Sequence, residues 1–358
     1  MYEPPAHSSE RRDRAADSQA TGATADVLSD VLRSVRLTGA VYFDFELSSP
    51  WVAEAPPSHE IAGLVLPGAQ RVIEYHLIAS GACWGHAVEE PPIRLEEGDL
   101  IVFPQGDPHV LSSAPGMRTT PDMSLFARPT TPLPLVYERG GGGPDHTRVV
   151  CCFLGLDERP FNPLLAALPR TLHLSRDANQ AATGWLATLL NIAVRESGSA
   201  RAGRDNVLAR MAELMFVEAI RRYLETLSPA ETGWLAGLRD PVVGQTLALL
   251  HGAPTTPWTV ESLARAVGVS RSVLADRFSE IVGQPPMHYL ALWRMQLASR
   301  LLLEGGGVAE VAIGVGYESE AAFSRAFKKL VGEAPATWRR AKRAGATPSP
   351  ASALAPGV

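Results

Sequence analysis

The chain has 358 residues, is 46% hydrophobic and carries a formal net charge of −5. That length allows two domains plus tails. No apolar run approaches the roughly 20 residues that cross a bilayer, which excludes a chain built on membrane-spanning helices. Its three cysteines, Cys83, Cys151 and Cys152, are too few and too odd in number for a disulfide scaffold.

In chain order, residues 1–25 are rich in Ala, Ser, Asp and Arg without apolar periodicity, and are expected to be a disordered leader. They lack the apolar core of a secretory signal, so a cytoplasmic location is expected. Residues 26–175 open with a helix from Asp26 to Arg36 and then turn to short β runs such as Val41–Leu47 and Leu100–Phe103, separated by Gly and Pro turns. Strands at this spacing predict a barrel or sandwich. Over residues 176–238 the period becomes helical. One apolar stripe contains Trp185, Leu189 and Ile192, and another contains Leu208, Met211, Leu214, Met215 and Ile220. Two such helices fit a linker or a homodimer seam; alternatively, both stripes cover the barrel.

Residues 239–340 read as helical throughout, starting at Asp240-Pro241, a cap followed by proline at the first helical position. Residues 341–358 look like a disordered tail. Charge is uneven: residues 241–358 hold 12 Lys+Arg against 8 Asp+Glu, whereas residues 1–240 hold 21 against 30. The C-terminal third is mildly basic on an acidic chain.

Within this basic region a pattern occurs twice, 49 residues apart. Ser270, Leu274, Phe278, Val282, Gly283 and Pro286 match, at identical offsets, Ser319, Phe323, Phe327, Val331, Gly332 and Pro335. Each copy predicts a short helix (Val260–Ala266, Val308–Gly314), a Gly-containing turn, and a second helix started by Ser and ended by Gly. Small Ala264 and Ala312 allow the helices to cross closely. Leu274/Phe278 and Phe323/Phe327, at i and i+4, face inward.

With those pairs buried, Ser272, Ala275 and Asp276 point outward early in the first recognition helix, and Glu320, Ala321, Ser324 and Arg325 in the second. Early positions of such helices reach base edges in the major groove. Arg271 and Arg277 in the first copy, and Lys328, Lys329, Arg339 and Arg340 in the second, are placed to meet phosphates. The intervening segment Pro286–Leu303 would form a rod of roughly 27 Å. A rod of that length can set two helices about one DNA turn apart, roughly 34 Å.

Residues 240–340 resemble the DNA-binding domain of the AraC/XylS transcription regulators. The resemblance is carried by Val311–Lys329 with Gly332, Pro335 and Trp338-Arg339, where Trp338 stands in place of the usual Tyr. It implies that the base-facing residues named above read an operator, and that double-stranded DNA and RNA polymerase are partners of an activator. Asp276 departs from relatives, in which Arg or another polar residue is common; a carboxylate near phosphates costs affinity unless it accepts from a cytosine amino group.

Upstream, Gly98, Pro104, Gly106 and His109 follow the pattern G-x5-P-x-G-x2-H. This looks like the second cupin motif, which supplies one metal-binding His on a barrel strand. The His-x-His pair of the first cupin motif is missing; Tyr75-His76 and Gly85-His86 are all that stands near its place. The resemblance implies a mixed, multidomain chain: an N-terminal cupin-like β-barrel, a helical linker and a C-terminal all-α tandem helix-turn-helix domain.

The barrel's role stays open among three readings. It binds a small effector in its interior; or His76 and His109, with Cys83 or Cys151, hold a metal such as zinc; or Cys83, Cys151 or Cys152 oxidises and switches the domain. The same residues would also serve as plain core. No cofactor is specified. A metal-dependent cupin enzyme fused to a DNA-binding domain is the rival class; it requires a full ligand set, and the incomplete first motif argues against it.

Overall fold

The structure is a computed structural model that describes residues 26–345 except 35–36, 127–134, 157–160, 176–187, 190–191, 194, 197–200 and 229–230. The expected leader and the first linker stripe around Trp185 lie largely outside the described residues. The opening helix, α1, spans Val27–Ser34.

Among the described residues ten strands follow, in two sheets. The first has six strands in the order β10-β6-β3-β9-β1-β8, and the second four in the order β2-β7-β4-β5. The central strands of the large sheet are β3 (Arg71–Ser80) and β9 (His146–Leu156), paired antiparallel with His76 opposite Cys151. Flanking them are β6 (Leu100–Phe103), β10 (Leu172–Leu174), β1 (Leu37–Ser48) and β8 (Leu135–Gly140). The small sheet consists of β2 (Val52–Ala55), β7 (His109–Ser112), β4 (Ala82–Ala87) and β5 (Ile93–Glu96). Helix α2 (Ser58–Val65) packs on β3.

Alternation along β3 and β9 decides what each face does. Val72, Ile78, Val149, Cys151 and Phe153 join a core between the sheets. Ile73, Tyr75, Leu77, Val150, Cys152 and Leu154 point outward into a second core. Both faces are covered, which is why these strands read as nearly continuous apolar runs rather than as polar–apolar alternation.

The outer core does not stop at the barrel. It continues through α3 (Pro163–Ala167) and α4 (Arg204–Thr226) into α5 (Trp234–Arg239), α6 (Pro241–Gly252), α7 (Val260–Ala266), α8 (Arg271–Val282) and α9 (Pro286–Glu304). Helix α4 spends most of its apolar stripe on this core: Leu208, Met211, Met215, Phe216 and Ile220 are buried in it. Only Val207 and Leu214 remain as large exposed apolar residues on that helix. The covering role therefore accounts for most of this stripe, and the seam expected from it shrinks to two residues.

The last three helices, α10 (Val308–Gly314), α11 (Glu320–Val331) and α12 (Pro335–Gly345), pack with the C-terminal half of α9 around a separate core of Met295, Leu302, Val311, Phe323, Phe327 and Trp338. Helix α12 runs five residues past position 340, so the tail expected from 341 begins as helix. Its first residue is Pro, and Trp338, Phe327 and the turn before α10 hold it down: Arg339 donates to the Gly306 carbonyl at 2.9 Å. No helix among the described residues is long and apolar enough to cross a membrane.

Candidate DNA interface and sensor cavity

Both helix-turn-helix units form as their sequences require. Ser270 and Ser319 cap α8 and α11 by accepting from Val273 and Ala322 backbone N–H groups. Thr259 caps α7 in a reciprocal capping box with Ser262, and Glu261 lies in the first turn. Leu274, Phe278, Phe323, Phe327 and Ala312 are fully buried, and Ala264 nearly so. Gly283 and Gly332 end the recognition helices with φ of 80° and 99°.

On the outer surface, Ser272, Asp276, Glu320, Ala321, Arg325, Lys328 and Lys329 are exposed, and Ala275 and Ser324 are half-buried. Val273, also on α8, is exposed as well; no sequence signal marked it as a surface residue.

The basic residues divide between the two units. Arg277 reaches back from α8 to Asp240, with both Nε and Nη2 on Oδ2 at 2.9 and 2.6 Å. Asp240 also caps α6 through Val242 and Val243 N–H, and its carboxyl is held below the usual range by Arg277 and these N–H groups despite burial. Arg271 pairs with Glu261 at 3.0 Å. Both arginines expected to meet phosphates in the first unit thus have intramolecular partners, and so does Arg339. Among the described residues, Arg325, Lys328 and Lys329 on α11 make no ion pair.

The barrel holds a cavity of about 390 Å³ between its two sheets. Its walls are mostly apolar, including Phe43, Trp51, Leu111, Phe126, Val149 and Phe153. Its floor is polar and deeply buried. His76 from β3 and His109 from β7 face each other, Nε2 to Nε2 at 2.8 Å. Glu74, two residues before His76 on the same face of β3, puts a carboxylate oxygen 3.7 Å from His109 Nε2. Cys151, opposite His76 on β9, lies 2.8 Å from its Nδ1.

One proton arrangement satisfies the histidines. The Asp107 carbonyl can only accept, so His109 donates to it through Nδ1–H at 3.0 Å and its Nε2 is a lone pair. His76 then donates from Nε2, and its Nδ1 accepts from the Cys151 thiol. All members of this chain are neutral, as their burial demands. Burial, with His109 beside it, drives the His76 pKa well down, and burial lowers that of His109 to about 4. Burial raises the Cys151 thiol well above its ordinary range, with Glu74 adding to the effect. Glu74 is the exception: neither carboxylate oxygen has a hydrogen-bond partner, and burial raises its pKa well above the usual range.

The loop that carries His109 is shaped by Gly106, at φ 68°; a Cβ there would lie 1.9 Å from Ser58 Oγ. Ser58 N–H donates to the Gly106 carbonyl at 2.9 Å, so loop and helix α2 close on each other.

Of the sensor residues expected from sequence, the structure brings together His76, His109 and Cys151. Cys83 is buried in the small sheet, with its thiol pushed up to about 12 by burial, and does not line the cavity. Cys152 points to the opposite face of the large sheet. Glu74 stands outside the His-x-His pattern expected at this place; Glu74-x-His76 supplies two ligand types at the same spacing.

Glu74, His76 and His109 suit a metal: a carboxylate and two imidazoles whose donor atoms all lie within 4.8 Å of one another, with no hydrogen bond to the carboxylate. Two nitrogens and one oxygen are a donor set that zinc and other first-row ions take.

A β-barrel with an internal cavity, joined by a packed linker to two helix-turn-helix units, defines a DNA-binding regulator with a sensor domain. Comparison with known proteins agrees. Residues 26–225 match the family model described as Cupin, and residues 263–341 the one described as Helix-turn-helix domain. An AraC-like transcription regulator of Streptomyces lividans is 36% identical over 295 residues, covering 79% of this chain and 94% of that protein. The transcriptional regulator AlkR of Acinetobacter baylyi is 27% identical, covering 88% and 99%. The RCS-specific transcriptional activator RclR of Escherichia coli is 26% identical, covering 77% and 87%. The chain belongs to the AraC-like transcription regulators that pair an N-terminal cupin domain with a C-terminal helix-turn-helix domain.

Proposed function

We propose that this regulator reads its signal in the barrel cavity and converts occupancy into a change in operator binding. The observation that carries this reading is Glu74, a fully buried carboxyl with no hydrogen-bond partner, on the floor of a cavity large enough for a ligand. A buried unsatisfied polar group costs about 1–3 kcal/mol, and an occupant that bonds to it recovers that cost. A ligand shifts the protein only if it binds the two states differently.

The walls favour a small, uncharged, largely apolar occupant. The charged residues described at the rim are already paired, Arg139 with Asp122 at 3.2 Å and Glu54 with Arg118 at 2.6 Å, so among the described residues the rim offers an ionic head group no free counter-charge. A second reading, favoured by the converging donors of Glu74, His76 and His109, is a divalent metal on the floor. It would supply a coordination position facing the cavity.

At the DNA, Arg325, Ser324, Glu320 and Ala321 would read bases while Lys328 and Lys329 meet phosphates. Ser272, Ala275 and Asp276 would face bases from the first unit. The activator role, with RNA polymerase as partner, follows from the resemblance in sequence; one relative's name carries that role. Exposed Val207 and Leu214, seven residues apart on α4, are the surface a second copy would use.

Filling the cavity tests the reading without knowledge of the ligand. Val149→Phe on the wall and Leu125→Trp at the mouth are expected to change the affinity for an operator selected from random duplexes by about tenfold, the size of a typical allosteric coupling. Fluorescence anisotropy on the full chain checks it. Unchanged affinity in both variants would sink the reading. The metal reading predicts one equivalent of zinc in the purified protein, lost in Glu74→Gln and His109→Asn.

A further inference from the structure

The loop that delivers His109 to the cavity floor is fastened to α3, the part of the barrel domain that packs on the DNA-binding half. Gln105, four residues before His109, directs its side-chain amide out of the barrel and donates to two backbone carbonyls of the α3 segment, Leu165 O and, at 3.2 Å, Leu168 O. Its own carbonyl accepts from Arg71 at 2.5 Å, at the start of the strand that carries Glu74 and His76. Two residues on, Asp107 receives Arg170 at 3.0 Å while its carbonyl holds His109. One short loop therefore touches the floor on one side and α3 on the other.

Helix α3 in turn lies in the core that the barrel's outer face shares with the DNA-binding half. It packs on α5, and Leu164, Leu165 and Leu168 share a buried cluster with Trp234 and Leu235. Just before α3, Phe161 meets the Tyr289 ring edge-to-face at 5.6 Å. Tyr289, on the rod α9, accepts from Trp234 Nε1 at 2.8 Å and lies 2.7 Å from His251 Nε2. From α5 the contacts run on to the recognition helix: Arg239 donates to the last carbonyls of α4, and adjacent Asp240 holds Arg277 of α8. Close-packed elements of this kind move as units rather than absorb a displacement.

We propose that Gln105 is the positioning residue that carries the state of the cavity floor to the first helix-turn-helix unit, by tying the His109 loop to the carbonyls of α3. The inference rests on the cavity being the sensing site and adds the route by which it acts. A displacement of His109 by an occupant moves the loop; the amide clamp passes that movement to α3, and α3 passes it to α5 and α9.

The test is a double-mutant cycle on the full chain, read as operator affinity. Gln105→Met keeps the side chain's length and removes the amide donors. Alone it is expected to leave operator affinity within about twofold. Combined with Val149→Phe, it is expected to shrink the roughly tenfold effect of the cavity-filling change to less than about twofold. Lost packing alone would lower the melting temperature additively and leave that effect in place, so non-additivity in DNA affinity separates positioning from plain support. If Gln105→Met lowers the folded yield, Gln105→Asn, one methylene short of the same carbonyls, takes its place in the cycle. Persistence of the full cavity-filling effect in the Gln105 variant overturns the proposal and leaves the cavity reading standing. Absence of any cavity-filling effect in the wild-type background overturns both.

Discussion

The two helix-turn-helix units have nearly the same sequence grammar and very different surroundings. The first shares one continuous core with the outer face of the barrel, and its arginines are engaged by Asp240 and Glu261. The second has a core of its own, and its basic residues on α11 stand free of ion pairs among the described residues. Duplicated local structure thus serves two ends. One copy is built into the core that covers the barrel; the other packs around a core of its own. The second unit also touches the barrel through Lys342, which donates to Gln70 at 3.2 Å.

The largest effect that tests this contrast concerns stability. Phe327→Ala and Leu274→Ala each empty a fully buried site and should cost about 2–5 kcal/mol. Phe327→Ala is expected to destabilise only the C-terminal helices, whereas Leu274→Ala should also lower the transition of the barrel. Denaturant unfolding followed by hydrogen exchange on each segment distinguishes them; equal spread of both losses would break the distinction.

A smaller difference is expected at the DNA. Arg325→Ala should cost about 1–3 kcal/mol of operator affinity and relax base preference at one position. Arg277→Ala should cost less than about 1 kcal/mol, because meeting a phosphate requires its guanidinium to give up two charge-assisted bonds to Asp240. Anisotropy titrations at two salt concentrations measure both. A larger loss for Arg277→Ala would mean that DNA takes the arginine from Asp240.

The last contrast is one of pH. His251, in the first unit, is pushed down to about 3 by burial, against an ordinary 6.5. A base with a depressed pKa is protonated more readily in the unfolded chain. Its stabilising share is therefore present above pH 6.5 and is lost as pH falls toward 3, by about 1.4 kcal/mol for each unit. The second unit, residues 305–345, contains no histidine. Acid should loosen the first unit and the barrel joined to it first, and His251→Phe should flatten that portion of the slope in urea midpoints taken from pH 7 to 5.

Much of the helix-turn-helix framework was legible in sequence, because it depends on short-range relations. Caps, i,i+4 aromatic pairs and terminal glycines lie within one helix, so Ser319, Phe323, Phe327 and Gly332 declare α11 without help from the rest of the chain. The cavity floor was only half legible. His109 could be found from the Gly–Pro–Gly spacing before it. Glu74 could not be weighed, since its meaning comes from sharing a strand face with His76 while β7 brings His109 across from the other sheet. Nor did sequence show that Cys151 faces the cavity and Cys152 the linker helices: adjacent residues on a strand point opposite ways, and only the register of β9 on β3 says which way is inward.

By itself the sequence determined the kind of protein this is, a tandem helix-turn-helix regulator behind a β-rich domain, because helix signals are written within a few residues of each other. The tertiary structure alone decided which unit shares its core with the barrel, which arginines are ion-paired and which side chains meet on the cavity floor. Those outcomes depend on contacts between residues tens of positions apart, such as Asp240 with Arg277 and His76 with His109. No local pattern encodes such contacts until the core has brought the strands and helices together.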